Sequence, residues 1–534
     1  MRLASPPRHV LAVALLILCG CAYRPAKFAD RPLILRVTDD RPSPPPDQTD
    51  YDELLHVSDI YLRRPIFDAL SPADPATAGD INALDEVPSS TWFQQPIDLA
   101  LTTEDRDAPL GGTPRFPLTL LEASPALGDG LAVVDARGAR YEIRRDTAQR
   151  PELRTGAAAV ASRLLRAVGL RTPDVWVLGL RSEHVRFPAV SPDAERALRA
   201  RFGAFLAAGP PAQEGAHRIS ATRWPIGIDI GIATDFGTRR DDPNDLIRHN
   251  DRRTLRSLKV IGAWLGFDGF GRRFARDAYV GKPGEGHVLH YVVEMERALG
   301  AGSVVDPLPR YQPLSGARGE GVLQNLVSFG FAPAPRPVLT QRRFLSLGTL
   351  GPLVNPKGLE PSLPYGPFVR LSRADAYWAA KRIASLTPEA LATAVAAARF
   401  SDPDAQAELL LLISLRARQV VGHWFHQVTP CELIGTEGTR ILLRDEAVFR
   451  GYARLDETSY RVAFLDDDGD EIAPSLTLVP SAPIFGVEIP GRLLRRSDPV
   501  VLHLTVSRRG KSAPAACDVH VAMEPDIHVF ALHH

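Results

Sequence analysis

The hydrophobic pattern changes period after Pro430, and that change limits the chain to folds that keep helices apart from an antiparallel sheet. Before it, three helix starts follow one another. Ser372 with Asp375 forms a capping box, and Tyr377, Trp378, Ala380 and Ile383 recur at helical spacing behind it. Thr387-Pro388-Glu389 supplies a cap, a proline at the first helical position and a carboxylate where the helix dipole favours one. Ser401 with Pro403 opens a longer helix reaching Gln427, with Val420, Val421 and Trp424 in the core and His423 and His426 capping its end rather than holding a metal. Beyond Pro430, the runs 440–443, 460–465, 484–489, 500–507 and 518–523 are short, β-forming and separated by turn residues. They predict an antiparallel β-sandwich over 431–534. The Asp-rich stretch from Asp466 to Asp470 reads as a solvated hairpin tip, because no glutamate follows at calcium-loop spacing.

Upstream, the runs 131–134 and 140–144 flank Asp135-Ala136-Arg137-Gly138 and predict a hairpin. Pro151 and Glu152 then suit the first turn of a helix that Gly169 stops, and 175–180 reads as a strand. A twisted strand and a long polar loop are expected over 221–245, and an irregular wrapping segment over 304–368, where prolines and glycines are dense. Trp92 and Phe93 are read as core contacts of a docking strand.

At the N-terminus, Arg2 and Arg8 precede an apolar run, 10–18, that is too short to span a bilayer and reads as the core of a signal peptide. Leu18-Cys19-Gly20-Cys21 closes it and resembles the lipobox of bacterial lipoproteins, which implies cleavage before Cys21 and acylation of its thiol. Ala22 after that cysteine fits delivery to the outer membrane. Pro42-Ser43-Pro44-Pro45-Pro46 favours extended backbone and reads as a tether.

Composition closes off other functions. The 63 basic and 63 acidic residues leave no net charge to draw nucleic acid. Neither a dinucleotide fingerprint, a Walker sequence, a His-Glu-x-x-His nor a Cys/His cluster at metal spacing occurs, so no cofactor and no metal is expected. Cys431 and Cys517 are an even pair beyond the export signal, and a disulfide between them is expected to be compatible with an oxidising compartment.

The stretch from His249 to Ser303 carries a family resemblance. It offers a helix ending in Ala263-Trp264-Leu265, a polar loop, and a strand ending in Glu294-Met295-Glu296 before Leu299-Gly300-Ala301-Gly302-Ser303. Together with Asp85-Glu86-Val87-Pro88-Ser89-Ser90-Thr91-Trp92-Phe93, Arg140-Tyr141-Glu142-Ile143-Arg144 and Phe400-Ser401-Asp402-Pro403, it resembles exported bacterial proteins whose central region looks like an atypical protein kinase of the HipA and CotH type. The resemblance implies Asn-His-x-Asp after Ala-Trp-Leu, an asparagine five residues on, and Asp-Phe-Gly before the Leu-Gly turn. Here Gly266 and Phe267 replace Asn-His, Gly269 takes the aspartate position beside Asp268, Phe274 replaces the asparagine, and Glu294-Met295-Glu296 replaces Asp-Phe-Gly. The phosphate-gripping lysine falls at Arg144, and its helix partner at Ala158, with Glu152 within reach if the helix starts early.

The expected fold is α+β: a signal peptide over 1–20, a Pro-rich tether over 21–50, a docking segment over 51–130, a two-lobed, degenerate kinase-like body with a helical extension over 131–430, and the sandwich over 431–534. The expected function is a lipid-anchored envelope protein that binds or scaffolds an envelope protein or ligand without catalysis. An active atypical phosphotransferase or other nucleotide-using enzyme, and a purely structural envelope component, stand as alternatives. Arg144 and Glu152 are the vestigial nucleotide-binding candidates, and Asp268 and Glu294 the vestigial catalytic ones.

Overall fold

The computed structural model describes residues 33–48, 77–95, 112–121, 129–188, 190–223, 227–267, 274–305, 343–359, 365–524 and 526–534. Cys21 and Asp268 lie outside them. The chain divides into two units, a larger one of Ile34–Ile81 and Val87–Trp424 and a smaller one of Met1–Leu33, Asn82–Glu86 and Phe425–His534.

In the larger unit, strands Leu118–Leu120 (β1), Leu131–Val134 (β2) and Arg140–Arg145 (β3) lead into helix Leu153–Ala167 (α1). Strands Val175–Leu180 (β4) and Val185–Arg186 (β5), helix Pro192–Ala207 (α2) and strand His217–Arg223 (β6) follow. The strands form one sheet in the order β4-β6-β3-β2-β1-β5, antiparallel except for β1 against β5. The expected hairpin is β2–β3. Its turn is closed by Asp135, whose carboxylate accepts the amides of Arg115, Arg137 and Ala139. Alternation along β3 sends Tyr141 and Ile143 into a core shared with Phe202 and Phe205 of α2 and leaves Glu142 and Arg144 on the opposite face. Helix α1 ends at Gly169, where φ is 99° and a Cβ would stand 2.1 Å from the Phe93 ring.

A second, three-stranded antiparallel sheet consists of Ile228–Ile232 (β7), Ala275–Val280 (β8) and His287–Val292 (β9). Between β7 and β8 runs the expected helix, Arg253–Leu265 (α3), buried almost throughout. Its first turn is capped by Asp80, whose carboxylate accepts the Arg253 and Thr254 amides at 2.5 and 3.1 Å. Arg416 caps its other end, donating to the Trp264 carbonyl at 2.8 Å and to that of Ala263. Burial pulls the pKa of this arginine down to about 10, and the helix dipole favours a cation there.

Short helices Gly302–Val305 (α4) and Gly366–Val369 (α5) precede the three expected helices, which form as Arg373–Ala384 (α6), Pro388–Ala396 (α7) and Pro403–Phe425 (α8). The caps are those read from the sequence: Ser372 accepts the Asp375 amide while Asp375 accepts that of Ser372, and Thr387 accepts the Ala390 amide. Asp375 does more than cap. It is fully buried and pairs with Arg253 at 2.9 Å and Arg256 at 3.2 Å, both of them also buried. Residues 351–356, within the expected wrapping segment, lie along α8, with Gly351, Pro352, Leu353 and Pro356 carbonyls accepting from Arg416, Gln419 and Trp424.

The reading of 21–50 as a tether is corrected for its described part. The Val37 amide bonds to Ser89, the Asp39 carboxylate accepts the amide and hydroxyl of Thr91, and the Ser43 amide bonds to the Gly286 carbonyl at 2.8 Å. Tyr279 donates its hydroxyl to the Ser43 carbonyl at 2.6 Å. Prolines hold this stretch extended, and an extended backbone leaves its amides and carbonyls free to bond to whatever it lies on.

The smaller unit holds strands Cys431–Glu437 (β10) and Arg440–Asp445 (β11), helix Glu446–Phe449 (α9), and strands Thr458–Leu465 (β12), Glu471–Leu478 (β13), Ile484–Glu488 (β14), Val500–Arg508 (β15), Lys511–Ser512 (β16), Cys517–Ala522 (β17) and His528–His533 (β18). One sheet runs β10-β11-β14 and the other β13-β12-β15-β17-β18, with β16 on β15. Side chains of both sheets, among them Ile441, Leu443, Val462, Phe464, Leu502 and Val519, share one core. The five expected strands are β11, β12, β14, β15 and β17, and Asp466 turns the β12–β13 hairpin by accepting the Asp468 and Asp470 amides. Ala83 accepts the Leu532 amide, and Asp85 meets the His534 ring at 3.0 Å, so the upstream segment Asn82–Glu86 completes this unit.

Candidate binding cleft

The cleft of the larger unit is built from strand ends. From β3 come Glu142 and Arg144, from β6 Thr222 and Arg223, from β7 Asp229, from β8 Arg276 and Asp277, and from the turn after β9 Glu294, Met295 and Glu296. It encloses roughly 640 Å³, open solvent included. Thr222 lies opposite Glu142 in the β3–β6 register, which fixes where the floor begins. Glu294 adopts φ 61°, a left-handed backbone that costs a side-chain-bearing residue free energy. Thr172 bonds to the Met295 sulfur at 3.2 Å and helps to hold this turn.

Arg144, the residue at the expected lysine position, is consumed by carboxylates. Its Nε donates to Glu142 at 2.5 Å and its Nη1 to Glu296. Burial works against its charge, but Glu296 and Glu142 outweigh burial, with help from Glu294, and raise its pKa above the ordinary value. Burial also pushes the Glu142 carboxyl above its usual range; Arg144 opposes this and Glu296 adds to it. Glu152 is not the partner of Arg144. It caps α1 with φ 66°, accepts the Ser401 amide at 3.0 Å, and faces Arg218 at 3.8 Å. Ala158, the other candidate position, is buried on α1. Phe274, at the expected asparagine position, is buried edge-on to Phe267, with ring centroids 6.0 Å apart.

A second group of charges is buried nearby; its arginines Arg239 and Arg252, whose pairs with Arg240 and Arg253 read in the sequence as solvated, are buried at 6% and 3% exposure. Asp277 pairs with His290 at 2.7 Å and with Arg239 at 3.0 Å; Asp245 pairs with His249 at 2.7 Å and Arg252 at 2.8 Å. Trp92 stacks on His290 at 3.8 Å and meets His249 edge-on at 4.6 Å. Burial would raise the Asp245 carboxyl, but the His249 hydrogen bond and the charges of His249 and Arg252 hold it well below the usual range. With its charges paired internally and its ring atoms packed, this network holds β8 and β9 in place beneath the cleft. Among the described residues no group of three or more His, Cys, Asp or Glu side chains is arranged to hold a metal ion.

Cys431 and Cys517 come together in the smaller unit, but as free, fully buried thiols rather than the expected bridge, with the Cys517 sulfur 3.7 Å from the Cys431 carbonyl oxygen. They approach from different sheets, β10 and β17. Burial, chiefly, raises both thiols well above their ordinary range, which disfavours the thiolate needed for exchange.

No family model, curated protein or solved structure matches the chain.

Proposed function

We propose that the chain is a lipid-anchored envelope protein that binds a ligand or partner without catalysing phosphate transfer, on a kinase-like body whose reactive groups have been replaced. The observation that carries this reading is the capture of Arg144 by Glu142 and Glu296. Phosphoryl transfer needs a cation free to meet phosphate, carboxylates free to hold magnesium, and a group that aligns the nucleophile. In this cleft Arg144 is bonded to two carboxylates rather than free to meet phosphate, and Phe274, where the resemblance implies an asparagine, is a buried apolar side chain that cannot hold a metal. Losing one charge-stabilising group costs roughly a hundredfold or more in rate. Glu294 keeps the charge of the metal-binding acid on a longer stem, which suits poorly a magnesium ion that demands near-ideal octahedral geometry.

Cys21 supplies the anchor, in the outer membrane as Ala22 suggests. Cys21→Ser should abolish incorporation of labelled fatty acid and release the protein from the membrane fraction; unchanged fractionation removes the anchor. For the non-catalytic reading, the test is incubation of the purified protein with γ-labelled ATP, magnesium or manganese, and envelope extract. No transfer is expected, and transfer that Glu294→Ala or Asp268→Ala abolishes would restore the enzyme alternative.

A further inference from the structure

We propose that residues 34–47 moor the larger unit to the membrane: docked on that unit, they leave only residues 22–33 between it and the lipid on Cys21. This rests on the lipid anchor proposed above. The docking runs the length of the stretch. The Leu35 carbonyl accepts the Ser89 amide and the Val37 amide donates to the Ser89 carbonyl, each at 2.9 Å. Asp39 accepts the Thr91 amide at 3.0 Å and its hydroxyl at 2.7 Å, and Asn244 donates to the Arg41 carbonyl at 2.8 Å. The Ser43 amide and carbonyl meet Gly286 and the fully buried Tyr279, while Asp241 accepts the Asp47 amide and Arg239 donates to the Asp47 carbonyl. Tyr279 is held in turn by the Gly284 and Gly286 amides, which its hydroxyl accepts at 3.1 and 3.0 Å.

The prolines favour this docking. Asp39, Ser43 and Pro46 are buried, whereas Pro42, Pro44 and Pro45 are exposed. The three-residue period of polyproline II puts Ser43 and Pro46 on one side. A stretch that proline already holds extended loses little entropy on docking, and its backbone amides and carbonyls are the groups the larger unit engages. Docking also fixes a length. A chain spans at most about 3.5 Å per residue, so residues 22–33 keep Ile34 within about 45 Å of the lipid. Undocked, residues 34–47 would add roughly 50 Å to that reach. The docked stretch thus limits how far the larger unit, and the cleft in it, stands from the bilayer.

The test compares tether lengths in liposomes. A Gly-Ser insert of about twelve residues, adding about 20 Å of root-mean-square reach, is placed after Asp30 or after Gln48 of the full-length acylated protein. Energy transfer is read from a dye on Arg196→Cys, an exposed position of α2, to acceptor lipids. The insert after Asp30 should lower transfer, and the insert after Gln48 should leave it unchanged, because the docked stretch isolates that position from the tether. With Asp39→Ala and Ser43→Pro, which remove the Thr91 bonds and the Ser43 amide, both inserts should lower it. Urea denaturation shows whether this double variant folds, and the two inserts alone suffice if it does not. Loss of transfer from the insert after Gln48 in the native background, or none from the insert after Asp30, would overturn the proposal. If Cys21→Ser leaves the membrane while both inserts act alike, the anchor stands and only the mooring falls; if Cys21→Ser stays in the membrane, the anchor reading itself is removed.

Discussion

The smaller unit buries Val462, Phe464, Leu502 and Val519 between two sheets, whereas α3 of the larger unit buries Arg253 and Arg256 at 1% and 0% exposure against Asp375 at 0%. The first arrangement is stabilised by apolar area removed from water, which is non-directional and tolerates small shifts. The second depends on partners meeting at hydrogen-bond distance, because desolvating an ion is costly and only a well-placed opposite charge offsets it. The larger unit thus places its charges with a geometric exactness that its cleft inherits, while the smaller unit is specified mainly by shape and alternation.

The strongest way to break this contrast is Asp375→Ala. It removes the carboxylate that two buried guanidiniums share, leaving Arg256 its pair with Asp251 at 2.8 Å, and should destabilise the larger unit by about 3 kcal/mol, read by urea denaturation followed through tryptophan. Trp92, Trp176, Trp264, Trp378 and Trp424, the described tryptophans, all fall within the larger unit, so this signal reports on it. A loss below about 1 kcal/mol, the level of an exposed pair, would show that the cluster is solvated. Next in size, Leu502→Ala in the apolar core should cost roughly 3 kcal/mol, seen as faster hydrogen exchange in β12 and β15 with the tryptophan transition unmoved. Thr387→Ala, which removes the α7 cap, should cost about 1 kcal/mol and shift only the tryptophan transition.

Acid should separate the units by smaller steps. Burial, opposed by Asp518, lowers the pKa of His520, so the folded smaller unit prefers the neutral ring. That contribution is present above the unfolded value of about 6.5 and is lost as pH falls below it. Asp245 is shifted the same way, so its contribution to the larger unit is present above an unfolded value of about 3.9 and is lost only as pH falls below that. Mild acid should therefore weaken β17 protection before the tryptophan signal responds, and His520→Asn should remove the early step. Simultaneous loss in both units would count against this assignment.

Alternation and capping made much of the fold legible: the β2–β3 hairpin, the caps of α6 and α7, and the helix before Gly266 all follow from local sequence. Helix α2 carries the same kind of start, Ser191 capping and Pro192 at its first position, yet its mixed polar face left no clear periodic signal to read. Strand β13 contains Pro474 and exposes much of its length, so it lacked an apolar run to read. The site was half legible. Arg144 and Glu294 stood out by position, but Glu296 as the partner of Arg144 lies 152 residues away, and Asp375 lies 122 residues from Arg253. Such pairs leave no periodic trace, since an ion pair is fixed by where two elements meet rather than by either element's own pattern.

The claim that the cleft is closed to nucleotide by its own charges is tested most directly by thermal unfolding of the full-length protein, followed by tryptophan fluorescence, with and without millimolar MgATP. A ligand that binds only the folded state must raise its stability in proportion to the logarithm of its concentration over Kd. No shift is expected for the native sequence. A saturable upward shift that Arg144→Ala abolishes would contradict the account, because it would mean that the guanidinium leaves Glu142 and Glu296 to hold phosphate.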